Sequence, residues 1–164
     1  MNNPLSEPQF KAVKFSAVCS YEAYVRLWQW QQTRFSKYLI EVTKSFYTNT
    51  GNRFYLSRWL ESVILKYCKS QGWRAEKPYD KGAKIKSKSG KEIWVKTGYS
   101  RAGVADLMCI IQGTVYNVEV KVGKDKASEA QLKEKVRAEA NGEKYVIVKT
   151  LQEFWELVDK VNIR

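Results

Sequence analysis

The chain of 164 residues contains no histidine. That absence removes the Ser-His-Asp triad, the histidine general base and every metal site built on imidazole. Hydrolytic chemistry in this chain must run on carboxylates, lysine or an oxygen-bound metal. Cysteine is scarce, with three residues, Cys19, Cys68 and Cys109, and no two of them at metal-ligand spacing. An odd count argues against a disulfide framework. Cys109, set among apolar strand residues, reads as a small buried hydrophobe. No run approaches the ~18 apolar residues of a transmembrane helix. The N-terminus carries Pro4 and Pro8 and no continuous apolar stretch, which predicts no secretory leader. Together these absences predict a reduced, cytoplasmic setting and no membrane partner.

What is present is apolar and basic. Hydrophobic residues make up 44% of the chain, with six Trp, ten Tyr and six Phe, enough for the core of one domain with an appendage. The net charge is +12, from 29 Lys+Arg against 17 Asp+Glu. The excess is uneven: residues 1–56 hold 7 basic and 3 acidic groups, residues 57–103 hold 12 and 4, and residues 104–164 hold 10 and 10. A clustered excess predicts a polyanionic partner, of which nucleic acid is the commonest. Solubility alone is the plainer alternative.

Along the chain, residues 1–15 read as a loose arm. From about Ser20 to Tyr47, Tyr21, Tyr24, Leu27, Trp28, Phe35, Tyr38, Leu39, Val42 and Phe46 recur at helical spacing, as one helix or two, before a turn at Thr48–Asn52. That aromatic stripe fits packing or a subunit interface better than base stacking. Ser57 reads as the cap of a helix over about 58–71, closed by Gly72. Glu61 lies off the centre of its apolar face, flanked by Leu65 and Cys68, and reads either as a solvated helix glutamate or as one that looks along the domain surface. Residues 84–91 read as an exposed lysine loop or hairpin tip and Ile93–Val95 as a short strand. A flexible lysine loop suits phosphate contact without sequence readout. Capping boxes Ser128-x-x-Gln131 and Thr150-x-x-Glu153 predict helices over about 129–140 and 151–161, with a strand over 144–149 between them. The second half therefore runs β-β-α-β-α, an α/β arrangement with a mixed sheet flanked by helices.

The chemistry concentrates in two apolar strands joined at Gly113. Asp106 precedes Leu107–Ile111, and Glu119 and Lys121 end the next strand. Side chains alternate faces along a strand, so Asn117, Glu119 and Lys121 share one. A two-residue turn at Gln112-Gly113 or at Gly113-Thr114 puts Asp106 on that face, and a one-residue slip removes it. Two carboxylates on one face repel unless a cation lies between them, and oxygen-only ligation suits Mg²⁺, with Mn²⁺ as a substitute. The Val120 carbonyl could add a ligand, and Lys121 could orient water or stabilise developing charge. A cross-strand salt bridge on a solvated sheet is the competing interpretation. The nearly continuous apolar runs around these charges favour a covered sheet instead.

Gly103-Val104-Ala105-Asp106, Val118-Glu119-Val120-Lys121, Gly123–Gln131, Lys144–Val148 and Phe154 together resemble the VRR-NUC branch of the PD-(D/E)xK nuclease superfamily. Members of that branch occur in phages and among DNA-repair nucleases. The resemblance covers about residues 57–160 and implies a restriction-endonuclease-like core over 57–164, with a basic insertion at about 77–96. Residues 1–56 would form a helical N-terminal extension for dimerisation or DNA contact. It implies Asp106 and Glu119 as metal ligands, Lys121 as the catalytic lysine and Gln131 as the glutamine beside the site. Glu61 would be the acid that many members carry in the first core helix. Ala105 departs from the proline usual before the aspartate, a position that shapes the strand rather than the chemistry. The implied activity is Mg²⁺-dependent DNA endonuclease, selective for branched DNA in the manner of a resolvase, with no small-molecule cofactor. The implied assembly is a homodimer or higher homo-oligomer. Lys81, Lys84, Lys86, Lys88, Lys91, Lys96, Arg101 and Lys124 are the candidate DNA contacts. Site-specific double-strand cutting is the enzymatic alternative. A non-catalytic nucleic-acid-binding module is the other, and it would show a broken acid set.

Overall fold

The structure of the protein is a computed structural model that describes residues 6–12, 18–34, 53–78, 82–86, 90–96 and 102–162. The expected helical residues 35–47 and the turn at Thr48–Asn52 lie outside them, as do Lys81, Lys88 and Arg101. After a short helix α1 (Glu7–Ala12), α2 spans Tyr21–Arg34. It starts where Ser20 accepts the Ala23 N–H at 3.1 Å through Oγ.

Helix α3 spans Arg53–Ser70. Ser57 is therefore inside the helix and not its cap. Buried Leu56 extends the Leu60, Val63, Ile64 stripe one turn upstream, and Ser57 Oγ lies 3.2 Å from Glu61 Oε1, one turn on. Strand β1 (Arg74–Glu76) follows, then β2 (Gly82–Lys86) and β3 (Glu92–Lys96), paired antiparallel with Lys84 opposite Trp94. Residues 84–86 thus belong to a strand rather than to a loop, because they pair with the predicted strand around Trp94.

The main sheet adds β4 (Leu107–Ile111), β5 (Thr114–Val120) and, after α4 (Glu129–Ala140), β6 (Lys144–Val148). Its order is β1-β4-β5-β6, antiparallel except for the parallel β5–β6 pair. The last helix, α5, spans Leu151–Asn162. The expected mixed sheet flanked by helices is what the chain forms.

Each sheet face has its own cover. Leu107, Cys109, Ile111, Val118, Val120 and Val148 join Leu60, Val63 and Ile64 of α3 and Leu151, Phe154, Trp155 and Val158 of α5 in one buried cluster. Phe10, Val18, Ala23, Tyr24 and Leu27 belong to the same cluster. Arg26 clamps α2 to α5, with two hydrogen bonds to Asp159 at 2.8 and 2.6 Å and its guanidinium 4.6 Å from the Trp155 ring centroid. On the opposite face a small cluster of Ala105, Ala138 of α4, Tyr145 and Ile147 packs beside the polar residues of β5. The helix α4 buries Ala138 alone, so it lays no broad apolar stripe on that face, and its first-turn Gln131 meets Glu119 there.

Candidate active site

A two-residue turn sets the site. Ile111 pairs with Thr114, leaving Gln112 and Gly113 as the link, with φ of 48° and 79°. Both turn residues are left-handed, the pattern of a type I′ hairpin, which glycine adopts without penalty. The even length meets the parity condition. Leu107 opposes Val118, so the register carries Asp106 to a place opposite Glu119, just beyond the ladder.

Asp106 replaces the strand it ends. Its Oδ2 accepts the Val120 N–H at 2.9 Å, where the β4 ladder has already stopped. In a strand the N–H and C=O of one residue point towards the same neighbour. The Val120 carbonyl therefore looks to the Asp106 side, while the Lys121 N–H turns to Val148 O at 3.0 Å.

Glu119 is 2% exposed, the most enclosed acid described. Its Oε1 lies 2.8 Å from Lys121 Nζ and also accepts from Gln131 Nε2. Its Oε2 lies 3.4 Å from the Tyr145 hydroxyl. Gln131 serves twice. Its Oε1 closes the capping box of α4 by accepting the Ser128 N–H at 2.8 Å, and its amide nitrogen is left to face Glu119. The start of the helix and the carboxylate are thus fixed by one side chain. Gly103 joins the same junction: a Cβ there would meet Ala130 O at 2.2 Å, so only glycine lets this turn lie against α4.

The electrostatics are those of carboxylates set close together. Burial is the main cause that raises the Asp106 carboxyl above its ordinary range; the Val120 N–H opposes it, the Glu61 charge adds to it, and Lys121 and Lys77 pull back. Burial also leads in raising Glu119, against the Lys121 contact and with the Asp106 charge adding to it. A cation between Asp106 and Glu119 would relieve both causes. These two carboxylates and the Val120 carbonyl could hold a divalent ion that keeps several waters, as Mg²⁺ does.

Glu61 comes to the same neighbourhood, where its charge is felt at Asp106, and it is 8% exposed rather than solvated. Its oxygens are engaged by Ser57 and by Lys77 Nζ. Among the described residues no three of His, Cys, Asp or Glu are placed to hold a metal together. Asp106, Glu119, Lys121 and Gln131 are thus brought together, with Glu61 beside them in an ion pair of its own. Of the candidate DNA contacts, Lys91 and Lys124 are exposed, and Lys84, Lys86 and Lys96 lie on the β2–β3 hairpin.

Sequence reasoning missed Tyr145, Lys77 and Gly103. Tyr145 carries the signature of an apolar strand residue, and only the parallel register, which sets it opposite Asn117, puts it on the Glu119 face. The left-handed Gly103 (φ 86°), three residues before Asp106, was the signal available for the tight turn.

No protein-family model matches the sequence, and no curated protein does. A solved structure described as a VRR_NUC domain is similar to this chain, at 24% identity and a TM-score of 0.40, over 61% of this chain and 95% of that one.

Proposed function

We propose that the protein is a metal-dependent DNA endonuclease whose centre is Asp106, Glu119 and Lys121. The observation that carries this reading is a buried carboxylate, Glu119, set opposite the half-buried Asp106 just beyond the end of a hairpin ladder, with a lysine 2.8 Å from Glu119. The order of these residues, and its resemblance to the VRR-NUC branch, supports it, as does the net charge of +12.

Asp106 and Glu119 would hold the ion with the Val120 carbonyl, each carboxylate fixed beforehand by a neighbour, the Val120 N–H for one and Gln131 for the other. Mg²⁺ or Mn²⁺ bound there supplies acidification of water and neutralisation of charge on the phosphate. Lys121 shares Glu119 Oε1 with Gln131 and has further N–H donors to offer. It would orient the attacking water or stabilise the negative charge that builds on the phosphate. Glu61 would act from beside the centre, becoming a ligand only by leaving Lys77. Exposed Lys91 and Lys124, with the lysines of the β2–β3 hairpin, would take phosphate contacts that position without reading sequence.

The finer proposal is selectivity for branched DNA by a homodimer assembled through residues 1–56. The three described cysteines are free and buried, in keeping with a reducing compartment. No described helix is long and apolar enough to cross a membrane. The test is a cleavage panel of linear, nicked, flapped and four-way DNA with Mg²⁺ or Mn²⁺. The proposal expects cutting in metal and none in EDTA, with a preference for the branched forms. Uniform cutting of all forms removes the selectivity, and absence of cutting in either metal removes the enzyme.

A further inference from the structure

Tyr145 has one hydroxyl proton and two acceptors. Glu119 Oε2 and the Gly103 carbonyl each lie 3.4 Å from its oxygen. A phenol donates one hydrogen bond at a time, so the two acceptors compete for it. They belong to the two segments that carry the carboxylates, β5 for Glu119 and the 102–106 turn for Asp106.

We propose that Tyr145 is a positioning residue that ties the Asp106 turn to the Glu119 carboxylate by sharing this one proton. The proton is divided between Glu119 and the Gly103 carbonyl while that carboxylate is free, and goes to the Gly103 carbonyl alone once a divalent cation engages Glu119. Cation binding would then tighten the turn that brings Asp106. The inference rests on the metal reading above for its second half only.

The surroundings leave the hydroxyl as the moving part. The ring is 5% exposed and packs with Ala105, Ala138 and Ile147, so it cannot swing away. Burial and the Glu119 charge push the phenol well above its usual range, so it remains a donor at physiological pH. The turn also lies close against α4, where a Cβ at Gly103 would meet Ala130 O at 2.2 Å. The hydroxyl is a second polar link between the two segments, beside the Val120–Asp106 hydrogen bond, and the burial of Tyr145 leaves water little access to replace it.

The test is Tyr145→Phe, which keeps the ring and removes the proton. Amide hydrogen exchange is read at residues 102–106, and Mn²⁺ binding by electron paramagnetic resonance. Without metal, loss of one net hydrogen bond of about 1 kcal/mol speeds exchange at the turn by about fivefold. With Mn²⁺ the wild-type turn gains protection that the variant does not, and Mn²⁺ binds the variant about tenfold more weakly. Unchanged metal-free exchange at 102–106 overturns the tether. A loss of protection spread over β5, β6 and α4 also overturns it, because Tyr145 would then be a packing residue. Wild-type protein that binds no Mn²⁺ counts against the metal centre, while the metal-free exchange still decides the tether.

Discussion

Replacing Asp106 by Asn should stabilise the protein in the absence of metal. Asn keeps an oxygen for the Val120 N–H, now accepted at 2.9 Å, and removes a charge that burial and Glu61 disfavour. Opposed residues across a hairpin place their Cβ atoms about 5 Å apart. Two unit charges at about that separation repel by roughly 3 kcal/mol at an effective dielectric near 20. Lys121, 2.8 Å from Glu119, cancels much of this, and Asp106 is only half-buried, so solvent screens more. A residual of about 1 kcal/mol is expected, or a rise in Tm of about 2–4 °C for a chain of this size. Asp106→Ala loses the Val120 hydrogen bond as well and should melt below the Asn variant by a similar amount. The assay is thermal unfolding in EDTA at pH 7, repeated with Mg²⁺. Metal should raise the wild-type Tm and leave the Asn variant nearly unchanged. The pH dependence follows from the raised Asp106 pKa. The wild-type deficit is present above the folded-state pKa and disappears as pH falls to where the carboxyl is protonated in both states. An Asn variant as unstable as the Ala variant, or one that gains as much from Mg²⁺ as the wild type, would refute the reasoning.

Three other outcomes follow from the same geometry. Gly103→Ala should destabilise by about 3 kcal/mol or more, because a Cβ would meet Ala130 O at 2.2 Å in a left-handed backbone; a loss under 1 kcal/mol in denaturant titration would show that the turn is loose. Gln131→Glu keeps the capping box but turns the donor on Glu119 into a like charge; unfolding in EDTA should show a loss of about 1 kcal/mol, and no loss would mean that the contact carries little energy. Lys91→Ala and Lys124→Ala should each lower the slope of log binding constant against log salt by about 1 for duplex DNA; an unchanged slope removes that lysine from the phosphate contacts.

Much of this arrangement was legible in the sequence because it follows from short-range rules. Strand alternation with an even turn at Gly113 sets Asp106 opposite Glu119, and Ser128 with Gln131 marks where α4 begins. What escaped was decided by tertiary pairing. Arg74–Glu76 is three residues long and lacks an apolar alternation, yet it pairs with Met108–Ile110. Ser57 looked like a cap because Ser is a good one, but the apolar stripe through Leu56 carries the helix past it. Glu61 looked partly solvated on a helical wheel, whereas Lys77, sixteen residues on, encloses it in an ion pair. Tyr145 reads as core from its neighbours and becomes polar machinery only once β6 lies parallel to β5.

The central claim meets its most direct test in one cleavage measurement. Supercoiled plasmid and a four-way junction are incubated in Mg²⁺ with wild type, Asp106→Asn, Glu119→Gln and Lys121→Met, each first shown by its melting curve to be folded. The account predicts metal-dependent cutting by the wild type, cutting slower by about 100-fold or more in each variant, and none in EDTA. Equal cutting by wild type and the Asp106 and Glu119 variants, or cutting that persists in EDTA, would contradict it.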